Sequence, residues 1–387
     1  MQRRLTLMLS LAAVTLLAWQ LFAEKLSFNP AIKLNAAVSA QQTLDNLNLS
    51  QGFSISIHTS KLPGVRALIS TRSGDLIISQ PRAGTVSLIY RDANNDGVSD
   101  GKAVLVKGLN RPHGLALHKG WLYIAETDAV LRIRFDAERG ITLGQVEYII
   151  QQRFPGDGNH WTRSIKISPN NKLLISIGSS CNVCIEHSEK RASIWQYDLD
   201  GRNETLYASG LRNTVGFDWK TNTLDLYGVD NGRDFLGDDE PPEELNRIRP
   251  QQHYGWPYQH GDGQADPSYA SQKPAALITH APSHLLPAHS APLSLLFIKH
   301  NPALKGRALV TLHGSWNRSK KSGYKVVMLS FLADQSIQQT DFISGFEKDN
   351  RVFGRPVDLT EDRHGNIYLS DDFNGRIYKI ATRLPKQ

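Results

Sequence analysis

A short unit recurs six times along this chain: a Gly- or Asn-centred turn that runs straight into an alternating or wholly apolar strand. It appears at residues 73–79, 119–125, 171–177, 222–227, 305–311 and 364–370. Most copies are followed by a second strand that would pair antiparallel with the first, as at 85–90, 130–135, 194–197 and 376–380. A unit of this size cannot bury both faces of its own small sheet, so neighbouring units must cover each other. The sequence therefore predicts an all-β chain folded as a six-bladed β-propeller over residues 51–382, with a linker at 24–50 and a short tail at 383–387. A β-sandwich is the structural alternative, although its strands need not repeat the unit. The 30 Gly and 18 Pro, spread along the chain, fit many tight turns better than a helical bundle.

Composition narrows the partners. With 387 residues, 40% hydrophobic and 21% charged, the chain can bury a full core and is not disordered. Lys and Arg number 44 against 37 Asp and Glu, a net +7 that suits small anions better than a nucleic-acid backbone. No nucleic-acid partner is expected.

Met1-Gln2-Arg3-Arg4 leads an apolar stretch at 5–22, which reads as an export signal over residues 1–23. Its length also permits an uncleaved N-terminal anchor tethering the protein to a membrane. A buried helix of the main domain fits the double Arg less well. Either export reading places the folded part in the periplasm or outside the cell. Cys181 and Cys184, the only two cysteines, would then form a small-loop disulfide. Position 185 is Ile, not the His that covalent haem needs, and a lone Cys pair does not make a zinc site.

Candidate chemistry clusters just ahead of inner strands, where a propeller's loops converge on one axial mouth. His160 and Arg163 stand in Asn159-His160-Trp161-Thr162-Arg163; Arg212 and Asn213 follow Leu211; Arg355 opens Arg355-Pro356-Val357-Asp358. A neutral His beside such cations can serve as a general base, and convergent Arg can hold an anion. His113 lies ahead of another inner strand, and His313 lies in Leu312-His313-Gly314. Asp230, Asn231 and Gly232, with Asp239, Glu240, Glu243 and Glu244, supply more carboxylates than a turn requires, which points to a cation, a solvated acidic loop being the alternative. Asp92, Asn94, Asp96 and Asp100 surround Gly97 like the first part of a calcium loop, but the twelfth position is Ala103, so a plain hairpin turn competes.

At these segments the chain resembles the glucose/sorbosone dehydrogenase family of soluble quinoproteins, which use pyrroloquinoline quinone (PQQ) on a six-bladed propeller. The resemblance covers roughly residues 50–382 and rests on Asn159 to Arg163, Leu211 to Asn213, Glu243 to Asn246 running into His253-Tyr254-Gly255-Trp256-Pro257, and Arg355 to Asp358, in the family's order. It implies PQQ and Ca2+ as cofactors and His160 as the base that takes the hydroxyl proton while a hydride passes to the quinone. Arg212 and Asn213 would contact the quinone oxygens, and Arg355 would pair with a cofactor carboxylate. Asp230, Asn231 and Gly232 fall on the activating calcium, and Glu243, Glu244 and Tyr254 on a second calcium stretch. Lys321 matches a cofactor-binding Lys, with Arg318 its rival, and His289, His113 and His313 join the cofactor rim. The substrate would be a sugar or alcohol and the electron acceptor external. Arg111-Pro112-His113 replaces the Gln of glucose-oxidising members, so the sorbosone-type branch fits better.

Two rival functions share the fold. A calcium-dependent lactonase also uses an axial cation and His residues, but hydrolysis has no need of Arg212 and Arg355 facing a polyanion. A non-catalytic propeller binding a glycan or protein would leave the same groups as rim decoration.

Overall fold

The computed structural model describes residues 34–383; the expected export signal over 1–23, the first part of the expected linker and the last four residues lie outside the described residues. Six sheets of at least four strands, antiparallel except for the parallel edge strand Gln252–His253 of the third, stand around one axis. Their inner strands are Leu68–Ser70, Leu115–His118, Arg163–Ile167, Thr214–Trp219, Pro292–Phe297 and Pro356–Glu361, and each packs on the next until the sixth meets the first. Six expected turn-strand units become the second strands: Leu76–Gln80, Trp121–Ala125, Lys172–Ile177, Leu226–Asp230, Ala308–Leu312 and Ile367–Asp371. The six-bladed propeller is thus the observed architecture.

The apolar runs follow from burial on both faces. In the first blade, Ile77 packs toward the second blade with Leu122 and Ile124, while Leu76 and Ile78 pack the other way, against Tyr368 and Ile377 of the sixth. Because strand side chains alternate with period two, a strand between two blades needs apolar residues at every position. Six clusters of this kind fill the six seams. Closer to the axis, polar stitches replace them. Asp358 of the sixth blade accepts from Leu68 N of the first at 2.9 Å and from Ser294 Oγ of the fifth at 2.6 Å.

Chain closure comes from the amino-terminal side. Phe53–Thr59 pairs with Arg376–Thr382 as the outer strand of the sixth blade. The stretch expected as a linker carries a helix, Ala40–Asn46, capped by Ser39 through its bond with Gln42, and a strand, Asn48–Leu49, on the edge of the fifth blade. Arg376 fixes this segment by donating to Val38 O at 2.5 Å and Thr43 Oγ1 at 3.0 Å. No described helix is long and apolar enough to cross a membrane.

Candidate functional site

Antiparallel order puts the start of every inner strand and the loop between second and third strands at one end of the ring. One charged or imidazole residue stands at each inner-strand entrance: Arg66, His113, His160, Arg212, His289 and Arg355. Five of these six were expected from sequence. Arg66 was missed, although it lies two residues before its strand, as His113 and Arg212 do.

His160 occupies a left-handed backbone position, φ +50°, which a non-Gly residue adopts only when its surroundings enforce it. Here two buried guanidiniums do so. Arg163 donates to the carbonyls of His160 and Thr162 at 2.8 and 2.9 Å and to Pro155 O at 2.6 Å. Arg191 donates to Pro155 O at 3.0 Å and to Asp157 O. His160 Nδ1 lies 2.8 Å from Ser179 O and 3.0 Å from Ser179 Oγ, whose own proton goes to Cys181 O at 2.7 Å. Both acceptors call for a proton on Nδ1, which leaves the Nε2 lone pair without a described partner. Burial, then the Arg212 charge, pushes the ring's pKa down to about 3, so it is neutral at ordinary pH.

Arg212 is aimed by a neighbouring loop. Its Nε donates to Asn182 O at 2.8 Å, one Nη to Asn182 Oδ1 at 3.0 Å and the other to Asn231 O at 3.1 Å. The backbone of Arg212 and Asn213 and the hydroxyl of Thr214 all donate to buried Asp230, at 2.9, 2.9 and 2.7 Å. Gly178 is pressed between the two halves of the site. A Cβ there would collide with Asn213 Oδ1 and, at 2.7 Å, with His160 Cβ.

Across the mouth, Arg66, Arg82, Trp161, His313, Arg355 and Asp372 line a cavity of about 380 Å3. Arg66 donates to Asp372 at 2.9 Å, and Asp372 also accepts from His313 Nε2 at 3.0 Å. Arg111 covers one face of Trp161 at 4.3 Å, and His113 meets its edge. The Nε atoms of Arg66 and Arg355 and Nδ1 of His113 are buried with no partner among the described residues. Three arginines, Arg66, Arg82 and Arg355, against one carboxylate, Asp372, around this cavity suit a ligand with several carboxylates. Arg82 and Asp372 carried no recognisable signal in the sequence.

A second pocket, of about 20 Å3, is lined by Asp230, Glu244, Gly232 and the ring of Tyr254. Burial pushes Asp230 up to about 6 and Glu243 and Glu244 up to about 8, with the Asp230 charge adding to Glu244. Glu243 accepts from Gly232 N at 2.5 Å and Ala291 N at 3.0 Å, and Glu244 from Gly261 N at 2.7 Å. Asp230, Glu244 and Asp266 bring buried carboxylates to this pocket and are the residues that could hold a hard cation, with Arg212 and Arg233 lining it too. The Tyr254 hydroxyl instead donates to Arg247 O at 2.7 Å. Among the described residues, Cys181, Cys184 and Glu186 alone bring three metal-type ligand atoms within 4.8 Å, and the sulfurs are already joined as the expected disulfide.

Of the remaining candidates, His289 and Arg318 are engaged with loops around the mouth, and the Asp92 turn lies apart. His289 donates from Nε2 to Gly237 O at 2.8 Å, and Arg318 pairs with Asp239 at 2.7 Å on the rim, with Lys321 in the same loop. Asp92, Asn94, Asp96 and Asp100 form the third-to-fourth-strand turn of the first blade, at the opposite end of the ring from the mouth. Their oxygens accept from Ala93, Asp96, Gly97 and Val98 N.

A six-bladed propeller with a neutral imidazole and arginines around an axial mouth, and buried acids beneath, is the class these observations define. The chain belongs to the TrAA12-like family, which it matches over residues 47–262 and 264–383. It is 31% identical to an uncharacterised protein of Borreliella burgdorferi over 89% of this chain and 93% of that one. It is 26% identical to the pyrroloquinoline quinone-dependent pyranose dehydrogenase of Coprinopsis cinerea over 88% of this chain, and spans 55% of that enzyme's length. A Trichoderma reesei structure of carbohydrate-active enzyme family AA12 superposes with TM-score 0.75 at 21% identity, over 91% of this chain and all of that one. The holo PQQ domain of the Coprinopsis enzyme gives 0.71 at 22% identity, over 86% and 96% of the two chains.

Proposed function

We propose that this protein is a PQQ- and calcium-dependent dehydrogenase that oxidises an aldose or a related sugar or alcohol. The observation that carries the reading is His160, neutral, with no partner on Nε2 among the described residues, beside Arg212 in a mouth lined by further arginines. The PQQ-dependent relatives support the cofactor and the oxidoreductase class. Arg66, Arg82 and Arg355 would hold the carboxylates of PQQ, and Arg212 and Asn213 the quinone oxygens. Asp230, Glu244 and the Asn231-Gly232 backbone would hold calcium. Bound PQQ supplies the two-electron acceptor for a hydride from the sugar carbon. His160 Nε2 takes the hydroxyl proton, and its fixed Nδ1–H keeps the ring turned toward the substrate. The cationic mouth favours charge that develops on oxygen during transfer. An external electron acceptor would complete the turnover.

Two finer expectations belong here. A sorbosone-type substrate rather than glucose is the reading that Arg111-Pro112-His113 favours, since it stands where glucose-oxidising members carry a Gln. The leader and the disulfide support a periplasmic or secreted protein, tethered if the leader is kept.

The lactonase and the binding-module readings leave the excess of arginines over carboxylates at the cavity without a purpose. Titration of the purified chain with PQQ and calcium, followed by aldoses, decides among the three. The dehydrogenase reading expects saturable binding and bleaching of the quinone absorbance on adding sugar. Binding without bleaching by any sugar or alcohol, or lactone hydrolysis without PQQ, would overturn it.

A further inference from the structure

We propose that the loop closed by the Cys181–Cys184 disulfide positions the two halves of the site at once, His160 through Ser179 and Arg212 through Asn182. The roles of His160 and Arg212 rest on the dehydrogenase reading above; the positioning itself does not. Ser179 is fully buried, and its hydroxyl has one proton, which Cys181 O takes at 2.7 Å. Its Oγ can therefore only accept from His160 Nδ1, as Ser179 O also does. Three residues on, the Asn182 side chain and carbonyl receive Arg212, and Asn182 Oδ1 also receives Asp234 N at 2.8 Å. Glu186 anchors the return of the loop by accepting from Ser180 N at 2.6 Å and Ser180 Oγ at 2.7 Å.

The His160 loop is fastened to the same segment. Asn159 N donates to Ser180 O at 2.7 Å, and a Cβ on Gly158 would come within 2.6 Å of that oxygen. This stretch lies between Lys172–Ile177 and Ser193–Asp198 and has no regular structure, so the cross-link restricts it most where the contacts are made. Without the cross-link, Cys181 O is free to leave the Ser179 hydroxyl. That hydroxyl can then turn and compete, as a donor to His160 Nδ1, with Ser179 O, which still accepts from it, so that part of the population carries the imidazole proton on Nε2 and loses the base. Ser179 and Asn182 are positioning residues, and the disulfide is what holds both on target.

The test uses the full chain labelled with 15N-histidine, with His160→Gln to assign the resonance. The 15N shifts report which ring nitrogen carries the proton, and this is read without PQQ. The wild type is expected to show the Nδ1–H form. The Cys181→Ser/Cys184→Ser variant is expected to show a mixture with Nε2–H and to bind PQQ weaker by on the order of tenfold. If that variant does not fold, wild type treated with dithiothreitol replaces it. One reagent thiolate attacks a cysteine sulfur, its second thiol closes the reagent to a cyclic disulfide, and two electrons leave both cysteines as thiols. Asn182→Ala should weaken PQQ capture yet leave the tautomer unchanged, separating the two branches. An opened disulfide, confirmed by thiol titration, with unchanged tautomer and unchanged PQQ affinity overturns the proposal. A wild type that never binds PQQ removes the dehydrogenase reading and leaves the tautomer to decide this one.

Discussion

Arg355 donates from Nη2 to Nδ1 of His313 at 2.8 Å. The imidazole must therefore be neutral and carry its proton on Nε2, where it meets Asp372 at 3.0 Å. Burial, then the Arg355 charge, brings the ring's pKa down to about 4. His313→Ala leaves Arg355 without this support and should weaken PQQ capture by roughly 1.5 to 3 kcal/mol, with the rate at saturating PQQ nearly unchanged. Equilibrium titration measures it, and an unaltered affinity would remove Arg355 from the carboxylate-binding role.

His160→Ala should separate chemistry from binding. PQQ affinity is expected to stay close to wild type, while reduction of the bound quinone by sugar slows on the order of a hundredfold or more. Stopped-flow absorbance resolves the two steps. Unchanged reduction means that another group is the base.

Calcium binding should depend on pH in a definite direction. Glu243 and Glu244 hold protons up to about pH 8 and Asp230 up to about 6, and a cation must displace those protons. The rise in melting temperature on adding calcium is therefore expected to be larger at pH 8 than at pH 6. A rise independent of pH would show that these acids are not the ligands.

Acid should destabilise the protein well before ordinary carboxylates titrate. Burial first, then neighbouring positive charge, lowers His58 to about 4, and burial followed by the Arg66 charge lowers His113 to about 3. Below pH 6.5 the unfolded chain binds these protons and the folded one does not, so stability falls as pH drops from about 6.5 toward 4. Each such His, His313 included, contributes up to about 1.4 kcal/mol per pH unit. Denaturant melts at pH 7, 6 and 5 check the slope, and His58→Phe should reduce it by one proton. Glu243, Glu244 and Asp230, raised by burial, pull the other way, so the comparison with His58→Phe isolates the ring, and an unchanged slope in that variant means that His58 is protonated when folded.

The ring was legible in the sequence because each second strand lies between two blades and is apolar throughout, as 76–78 and 122–124 show. The entrance residues were legible for a related reason: they stand a few positions before strands whose pattern is clear. Asp372, Arg82, Ser179 and Asn182 were not, because their value comes from partners far away in sequence. Arg66 and Asp372 meet across 306 residues and Ser179 meets His160 across 19, and no local pattern encodes either pairing. The helix at Ala40–Asn46 escaped notice for its brevity, although Ser39 and Gln42 spell its cap.

One group enters from each of six separate sheets, and every one is carried on its own turn above a rigid strand. A change in one turn can therefore retune a single contact while the other five keep their places. Such a molecule can acquire a new sugar preference through small edits at one sector of the rim, without rebuilding the frame that carries the redox chemistry.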